Sequence, residues 1–149
     1  MDYRQNLIED EARVAELIRS SRRVAVLGVK TEAQSGQAAF YVAEYLAKVG
    51  VDVVPVPVYF PEVKEILGRP VVRRLADIAG PVDIVDVFRR PVDIPQHLGD
   101  ILALRPRAVW FQLGIRHDEA ARALAEAGLL VVQDRCLMVD WQRYGARSG

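Results

Sequence analysis

The loop at residues 28–37 carries the residue types that bind phosphate. Lys30 supplies a positive charge, Thr31 and Ser35 supply hydroxyl groups, and Ser35 is also placed to cap the helix that is predicted from Gln37. The first turn of that helix adds backbone N–H groups without partners and the positive end of the helix dipole. These groups favour an anion, and a phosphate is the natural guest at such a helix start.

Two glycines in this loop are expected to act differently. Gly28 lets the chain turn as it leaves a strand, and Gly36 lets a ligand approach the backbone. The alternative is that both serve only a tight turn, because an isolated strand–glycine–helix pattern is a weak motif. The loop also lacks the Gly-x-x-x-x-Gly-Lys-Ser/Thr sequence of a Walker loop.

The tip of the second predicted strand argues against a nicotinamide dinucleotide. A dinucleotide fingerprint needs Gly-x-Gly-x-x-Gly and an acidic residue about 20 residues further on, for the ribose. Here Gly28-Val29-Lys30 replaces the first pair of glycines, and Pro55-Val56-Pro57 ends the second strand without a carboxylate. NAD therefore fits poorly, whereas a rim of proline and valine offers a flat apolar edge to an adenine ring.

Polar residues follow or interrupt two other predicted strands. Arg89 and Arg90 come directly after the third strand, where a forked guanidinium would bind phosphate, and the alternative is a solvated pair. Gln112 interrupts the apolar fourth strand, and a buried amide must find hydrogen-bond partners. It either contacts a ligand or bonds only to a neighbouring loop.

The remaining candidates for chemistry favour structural roles. Arg135 beside the single cysteine, Cys136, would activate a thiol, but the two histidines lie at predicted helix starts, and an inert buried cysteine is the better interpretation. Asp83 and Asp86 are three residues apart in one strand, so they point to opposite faces and form no acid–base pair. Asp86 is expected to reach a helix N-terminus. No spacing suits a metal site.

The elements that position these residues alternate between strands and helices. Apolar runs predict strands at residues 24–28, 51–56, 82–88, 108–114 and 129–133. Helices are predicted over about 6–19, 37–49, 95–104 and 117–127, with a short helix over 61–66, a turn at 75–78 and a final short helix or turn after residue 135. Continuously apolar strands indicate a sheet that is covered on both faces. The fold class is therefore α/β, a doubly wound, mainly parallel five-stranded sheet with helices on both faces and an extra N-terminal helix.

Composition limits the class of protein. The 149 residues, 51% of them hydrophobic, suit a single domain over residues 1–149 with its core at about 22–136. Lys and Arg total 20 and so do Asp and Glu, so the basic excess of a nucleic-acid binder is absent. One cysteine allows no disulfide framework and favours a reducing compartment. Without a signal-peptide core or an apolar run of roughly 18 residues, a soluble cytoplasmic protein is expected.

Six short segments together indicate a resemblance to a protein family, although none of them does so alone. They are residues 24–28 (VAVLG), 54–57 (VPVP), 66–71 (ILGRPV), 82–91 (VDIVDVFRRP), 109–115 (VWFQLGI) and 133–136 (QDRC). In this order and spacing they resemble the small bacterial CoA-binding proteins with a Rossmann-like fold. That family is related to the N-terminal domain of the succinyl-CoA synthetase alpha subunit.

The resemblance implies a coenzyme A site at the strand ends. The contacts that it implies are Gly28, Val29, Lys30, Thr31, Ser35, Gly36 and Gln37 around the pyrophosphate, Pro55, Val56 and Pro57 beside the adenosine, Arg89 and Arg90 along a phosphate or pantetheine, and Gln112 near the centre of the sheet. Family members often have Gly-Ala-Ser after the first strand and Pro-Val-Asn-Pro after the second. This chain lacks that serine and that asparagine, and Lys30 offers electrostatic compensation.

Two functions remain open from the sequence. The leading hypothesis is a non-catalytic or regulatory module that binds coenzyme A or an acyl-CoA, with no nucleic-acid or membrane partner. The related synthetase needs a further domain with a phosphorylated histidine, which a chain of 149 residues is not expected to contain. The alternative is an enzyme, either an NAD(P)-binding oxidoreductase or an acyl transferase that uses Cys136.

Overall fold

A parallel sheet with the strand order β2-β1-β5-β6-β7 forms the centre of the protein. The computed structural model describes residues 2–145. The strands are β1 (Arg23–Leu27), β2 (Asp52–Val56), β3 (Glu65–Ile66), β4 (Arg69–Pro70), β5 (Ile84–Val87), β6 (Ala108–Phe111) and β7 (Leu130–Val132). The short strands β3 and β4 pair separately as an antiparallel hairpin. The predicted five-stranded parallel sheet is confirmed.

Helices cover both faces of this sheet. They are α1 (Glu11–Arg19), α2 (Ala38–Lys48), α3 (Leu98–Leu104), α4 (Asp118–Glu126) and α5 (Leu137–Tyr144), with 3₁₀ turns at Tyr3–Asn6, Glu32–Gln34, Leu75–Asp77, Pro91–Asp93 and Pro95–His97. One core packs α1, α2 and α5 on the sheet, and the other packs α3 and α4 on the opposite face. None of the helices within residues 2–145 combines the length and the hydropathy that crossing a lipid bilayer requires.

The strands are apolar without interruption because successive side chains enter different cores. Val24 and Val26 of β1 face the core with α2, whereas Ala25 and Leu27 face the core with α3. All four side chains are at most 2% exposed. The apolar runs that predicted a sheet covered on both faces therefore have the expected cause.

The N-terminal helix begins later than its apolar pattern predicts. Asp10, rather than Asn6, is the N-cap of α1, and its carboxylate accepts a hydrogen bond from the Arg13 N–H. Leu7 forms a parallel bridge with Val131, and the next residue donates its N–H to the Val131 carbonyl at 2.8 Å. The segment from about residue 6 is extended because it adds backbone pairing to the open edge of β7.

The predicted short helix over residues 61–66 is wrong, because this stretch leads into the β3–β4 hairpin. Leu67 and Gly68 both have left-handed backbone angles, with φ of 57° and 71°, which is the geometry of a tight two-residue hairpin turn. Arg69 then ties the hairpin to β2 through Asp52 Oδ1, at 3.0 Å. The turn expected at 75–78 is confirmed as the 3₁₀ turn Leu75–Asp77.

The carboxyl group of Asp86 lies inside the protein rather than at a helix N-terminus, which corrects the expectation for this residue. The side chain is fully buried in β5, and neither oxygen has a hydrogen-bond partner among residues 2–145. Burial raises the pKa of Asp86 well above its ordinary value. The folded protein therefore favours the neutral carboxylic acid at this position.

We expect Asp86→Asn to remove a pH dependence of stability. The unfolded chain loses the Asp86 proton near pH 4, while the folded chain retains it to a higher pH. The contribution of Asp86 to the free energy of unfolding is therefore fully present below pH 4. It is lost as pH rises toward the pKa of Asp86 in the folded protein, by up to about 1.4 kcal/mol per pH unit. Urea unfolding of both proteins between pH 4 and 8 measures the difference, and parallel stability curves would contradict it.

Candidate functional site

The order of the strands places a crevice beyond the carboxyl ends of β1 and β5. These strands are neighbours in the sheet, but the helices that follow them, α2 and α3, pack on opposite faces. Open α/β sheets bind their ligands at such a switch point. The phosphate-type loop at residues 28–37 and the arginine pair Arg89 and Arg90 both leave the sheet here, so the structure brings these predicted segments together.

Gly28 allows the two segments to approach each other. Its φ is 85°, and a Cβ atom at this position would overlap the carbonyl oxygen of Phe88 and lie 3.4 Å from Arg89 Cδ. The Gly28 N–H donates to the Val56 carbonyl at 2.8 Å. A turn and a close backbone approach thus both require glycine at residue 28.

Residues in the first half of the loop are buried or hydrogen-bonded to other parts of the protein. Val29 is 1% exposed and packs in the core with α2. The Thr31 hydroxyl donates to Gln34 Oε1 at 2.8 Å, and the Thr31 N–H donates to the same oxygen at 3.0 Å. Glu32 accepts a hydrogen bond from the Leu67 N–H, which attaches the loop to the hairpin turn. The side chains of Val29 and Thr31 therefore stabilise the conformation of the loop.

The second half of the loop is open. Ser35, Gly36 and Gln37 are exposed, and the N-cap of α2 is Gln37, which makes no side-chain capping bond within the described part of the chain. The expectation that Ser35 caps this helix is therefore wrong. At the start of α2, the Gln37 N–H donates to the Gln34 carbonyl and the Phe40 N–H donates to the Gln37 carbonyl, both at 2.9 Å. The N–H groups of Ala38 and Ala39 are left without a backbone acceptor in the described part of the chain.

Gly36 is not required by the backbone or by packing. Its φ lies outside the left-handed range, and a Cβ atom there would have no heavy atom of the described chain within 4 Å. Gly28 and Gly36 thus differ, since Gly28 is needed for the fold and Gly36 keeps the approach to α2 clear. A turn and a close backbone approach thus account for Gly28, whereas neither of them accounts for Gly36.

Arg89 is a buried cation, whereas Arg90 is a surface residue. The side chain of Arg89 is 9% exposed, and its Nε donates to His97 Nε2 at 3.1 Å. Its Nη1 donates to the Tyr59 hydroxyl at 3.4 Å. Arg90 is 77% exposed and pairs with Asp93 at 2.9 Å. The solvated interpretation fits Arg90, and Arg89 is the arginine that faces the crevice.

Tyr59 connects the cations of two separate loops. Lys30 Nζ lies 5.2 Å from the centre of the Tyr59 ring, and Arg89 Cζ lies 5.7 Å from it. Both distances suit cation–π contacts. The hydrogen bond from Arg89 lowers the pKa of the Tyr59 phenol. The centre of the Phe60 ring lies 5.7 Å from Lys30 Nζ.

The aromatic pair and His97 were missed from the sequence. Tyr59 and Phe60 lie in an irregular stretch without periodicity, and His97 was interpreted only as a helix start. The adjacent aromatics after the second strand were the one available signal.

The tip of β2 is buried rather than open as a rim. Pro55, Val56 and Pro57 are all buried, and the Pro55 carbonyl accepts a hydrogen bond from Val72. Val56 and Pro57 line a cavity of about 170 Å³ together with His97. In place of the predicted flat apolar edge for an adenine ring there is a small recess beside the switch point, which Arg73, Arg74 and Asp100 also line.

Gln112 bonds to a neighbouring element, as one of its two interpretations stated. The side chain is 3% exposed, and its Oε1 accepts a hydrogen bond from the Leu137 N–H at 3.0 Å. Leu137 is the first residue of α5, so Gln112 satisfies an N–H group at that helix start. It lies at the tip of β6 and helps to hold α5 on the sheet.

Cys136 is the N-cap residue of α5 and is partly exposed, so the expectation of a buried cysteine is wrong. The neighbouring cation is engaged elsewhere, because Arg135 binds Asp140 at 2.7 Å and Glu11 at 2.8 Å. Hydrogen bonds from Arg135 and Tyr144 hold the pKa of Glu11 at about 2. Arg135 therefore links α1 to α5, and its charge is shared between two carboxylates.

Comparisons with known proteins identify the family of this chain. A family model described as a CoA binding domain matches residues 22–142. The uncharacterized protein YneT of Bacillus subtilis is 32% identical over 129 residues, covering 87% of this chain and 92% of its own.

Solved structures share the fold. A Thermus thermophilus protein, cell-free ID.343, has a TM-score of 0.83 and 41% identity, covering 91% of this chain and 99% of that one. A dinucleotide-forming acetyl-coenzyme A synthetase of Ca. Korarchaeum cryptofilum is 15% identical with a TM-score of 0.64, covering 79% of this chain and 26% of its own, which shows the fold alone. The match of the family model over most of the chain shows that the protein belongs to the CoA-binding domain family.

Proposed function

We propose that the protein binds coenzyme A or an acyl-CoA at the carboxyl ends of β1, β2 and β5, and that it does so without catalysing a reaction. The observation that carries this proposal is the open start of α2. The N–H groups of Ala38 and Ala39 have neither a side-chain cap nor a backbone acceptor within the described residues, and Gly36 leaves space in front of them. A diphosphate would accept these hydrogen bonds and interact favourably with the helix dipole.

Two cations support the same placement of the phosphates. Lys30 and Arg89 both face the Tyr59 ring beside the switch point. Arg89 is 9% exposed, and no carboxylate oxygen within residues 2–145 comes closer to its Nη2 than 3.7 Å. The ion pair of Arg89 with Asp93 is longer than a hydrogen bond, and Asp93 is shared with Arg90. An anionic ligand would therefore add to the compensation of this buried charge. The recess beside Val56 and Pro57, which Arg73, Arg74 and Asp100 also line, is the surface offered to adenine.

The proposal of binding without turnover follows from the side chains around the crevice. Those that face it are two cations and a phenol, and the imidazole of His97 accepts from Arg89 on the side away from the crevice. This set of groups suits holding an anion. Cys136 is placed at the start of α5, and the arginine next to it binds two carboxylates. We propose that the protein reports or buffers the level of a CoA species rather than transforming it.

Isothermal titration calorimetry with coenzyme A, acetyl-CoA, NAD and ATP tests this function. We expect coenzyme A to bind with micromolar affinity at one site, and NAD and ATP to bind at least about tenfold more weakly, a difference of about 1.4 kcal/mol. Acetyl-CoA incubated with the protein should stay intact. NAD binding in the absence of coenzyme A binding would support the oxidoreductase. Thioester loss that alkylation of Cys136 abolishes would support the acyl transferase.

A further inference from the structure

The hydrogen bond between Arg89 and His97 defines the protonation state of the histidine. Arg89 Nε is a donor in every protonation state, and it lies 3.1 Å from His97 Nε2. His97 Nε2 must therefore carry a lone pair, so the imidazole is neutral with its proton on Nδ1. A neutral ring, rather than a carboxylate, is the acceptor for a guanidinium that is 9% exposed.

His97 orients the guanidinium of Arg89. Nε faces His97, and Nη2 faces Asp93 in the same segment at 3.7 Å, beyond hydrogen-bond distance. Nη1 is directed to Tyr59 on the side of Lys30. Asp93 itself is engaged by Arg90 at 2.9 Å. His97 is therefore the closest of these partners of Arg89, and it holds the guanidinium on the side opposite to the crevice.

Charged groups surround His97 on several elements. Arg89 follows β5, Asp93 lies in the 3₁₀ turn Pro91–Asp93, and Asp100 lies in α3. Asp100 is bound by Arg74 at 2.8 Å, and Arg73 lines the same small cavity. Burial and the charge of Arg89 lower the pKa of His97, against the opposing effect of Asp100 and Asp93. The imidazole is thus neutral at pH 7 and takes up a proton only at a lower pH than an ordinary histidine does.

We propose that neutral His97 is a positioning residue that holds Arg89 for the phosphate groups of the ligand, and that protonation of His97 releases Arg89 and weakens binding. This inference rests on the proposed function. A protonated His97 has no lone pair for Arg89, and it places two cations at hydrogen-bond distance in a half-buried site. That repulsion acts at closer range than the attraction between His97 and a phosphate on the far side of Arg89. Arg89 then turns away from the crevice.

Two variants test the positioning role. In His97→Gln, the amide oxygen accepts from Arg89 but does not titrate, whereas His97→Phe has no acceptor. We expect His97→Phe to bind coenzyme A about tenfold more weakly than wild type at pH 8, since a hydrogen bond to a charged group is lost, and His97→Gln to restore most of the affinity. Circular dichroism checks that both variants fold. Equal affinities of His97→Phe and wild type at pH 8 would overturn the role.

The pH profile separates positioning from a merely structural effect. Between pH 8 and pH 5, wild type should lose about tenfold more affinity than His97→Gln, and the glutamine variant corrects for titration of the phosphates of the ligand. Identical profiles would overturn the proposed release of Arg89 but leave the proposed function standing. Absence of coenzyme A binding to wild type at every pH would overturn the function and the inference together.

A measurement on the wild-type protein does not depend on the folding of any variant. By linkage, if protonation of His97 weakens binding, saturating coenzyme A must lower the pKa of His97. NMR titration of the ring protons measures it, and the chain has only two histidines to assign. A rise in the pKa of His97 on binding, which simple attraction between the imidazolium and a phosphate would produce, would overturn the proposal.

Discussion

Gly36→Glu is expected to abolish coenzyme A binding while the protein stays folded. A side chain at residue 36 meets no heavy atom of the described chain within 4 Å, and the residue is exposed, so the fold tolerates the change. The new carboxylate would stand in front of the N–H groups of α2 and repel a phosphate. At about 4 Å with an effective dielectric constant near 20, this repulsion amounts to about 4 kcal/mol. Calorimetry should show a loss of affinity of at least ~100-fold.

Two milder variants at the same position separate charge from bulk. Gly36→Ala adds one methyl group in open space and should retain most of the affinity. Gly36→Gln has the size of glutamate without its charge, and it should bind coenzyme A more weakly than Gly36→Ala but more tightly than Gly36→Glu. If Gly36→Glu binds coenzyme A as wild type does, the ligand does not lie at the start of α2.

Gly28→Ala is expected to destabilise the whole domain. The residue has a φ of 85°, and the new Cβ atom would overlap the Phe88 carbonyl oxygen. Left-handed strain contributes about 1–2 kcal/mol, and displacement of the backbone after β5 adds about 1–3 kcal/mol. Chemical denaturation should show a loss of about 2–5 kcal/mol in the free energy of unfolding, as the sum of these two effects.

Gly50→Ala is the matched control for this loss. Gly50 also has a left-handed backbone, with φ of 92°, but a Cβ atom there would meet nothing in the described chain within 4 Å. Only the conformational strain should remain, about 1–2 kcal/mol. Equal losses for Gly28→Ala and Gly50→Ala would mean that the contact between Gly28 and Phe88 contributes nothing.

The fold class was predictable from local patterns because they have local causes. A parallel strand with both faces buried must be apolar throughout, so Val24-Ala25-Val26-Leu27 identified β1 without any knowledge of its neighbours. Gly50 and Gly128 follow α2 and α4 closely, and both have left-handed backbones that end a helix. The hairpin at Leu67 was missed, since a left-handed leucine is not a usual turn signal.

Local sequence predicted the structure less well where a segment pairs with residues that lie far away in the chain. The helical spacing before residue 10 gave way to pairing between Leu7 and Val131, whose partner lies at the other end of the chain. The same is true of Gln112, whose amide satisfies the start of α5. In both cases a backbone N–H or carbonyl group needed a partner that only the folded chain supplies.

The sequence by itself determined that a glycine-containing, hydroxyl-rich loop joins a buried strand to a helix, and that an arginine pair follows another buried strand. Only the tertiary structure decided which residues of the loop and of the arginine pair are buried and which are exposed. It turned Val29 and Thr31 inward, exposed Gly36, and buried Arg89 against His97 and Tyr59. The physical reason is the strand order, because β1 and β5 are neighbours in the sheet although β2 and the hairpin lie between them in the chain. Their carboxyl ends therefore bring Lys30 and Arg89 to one aromatic ring.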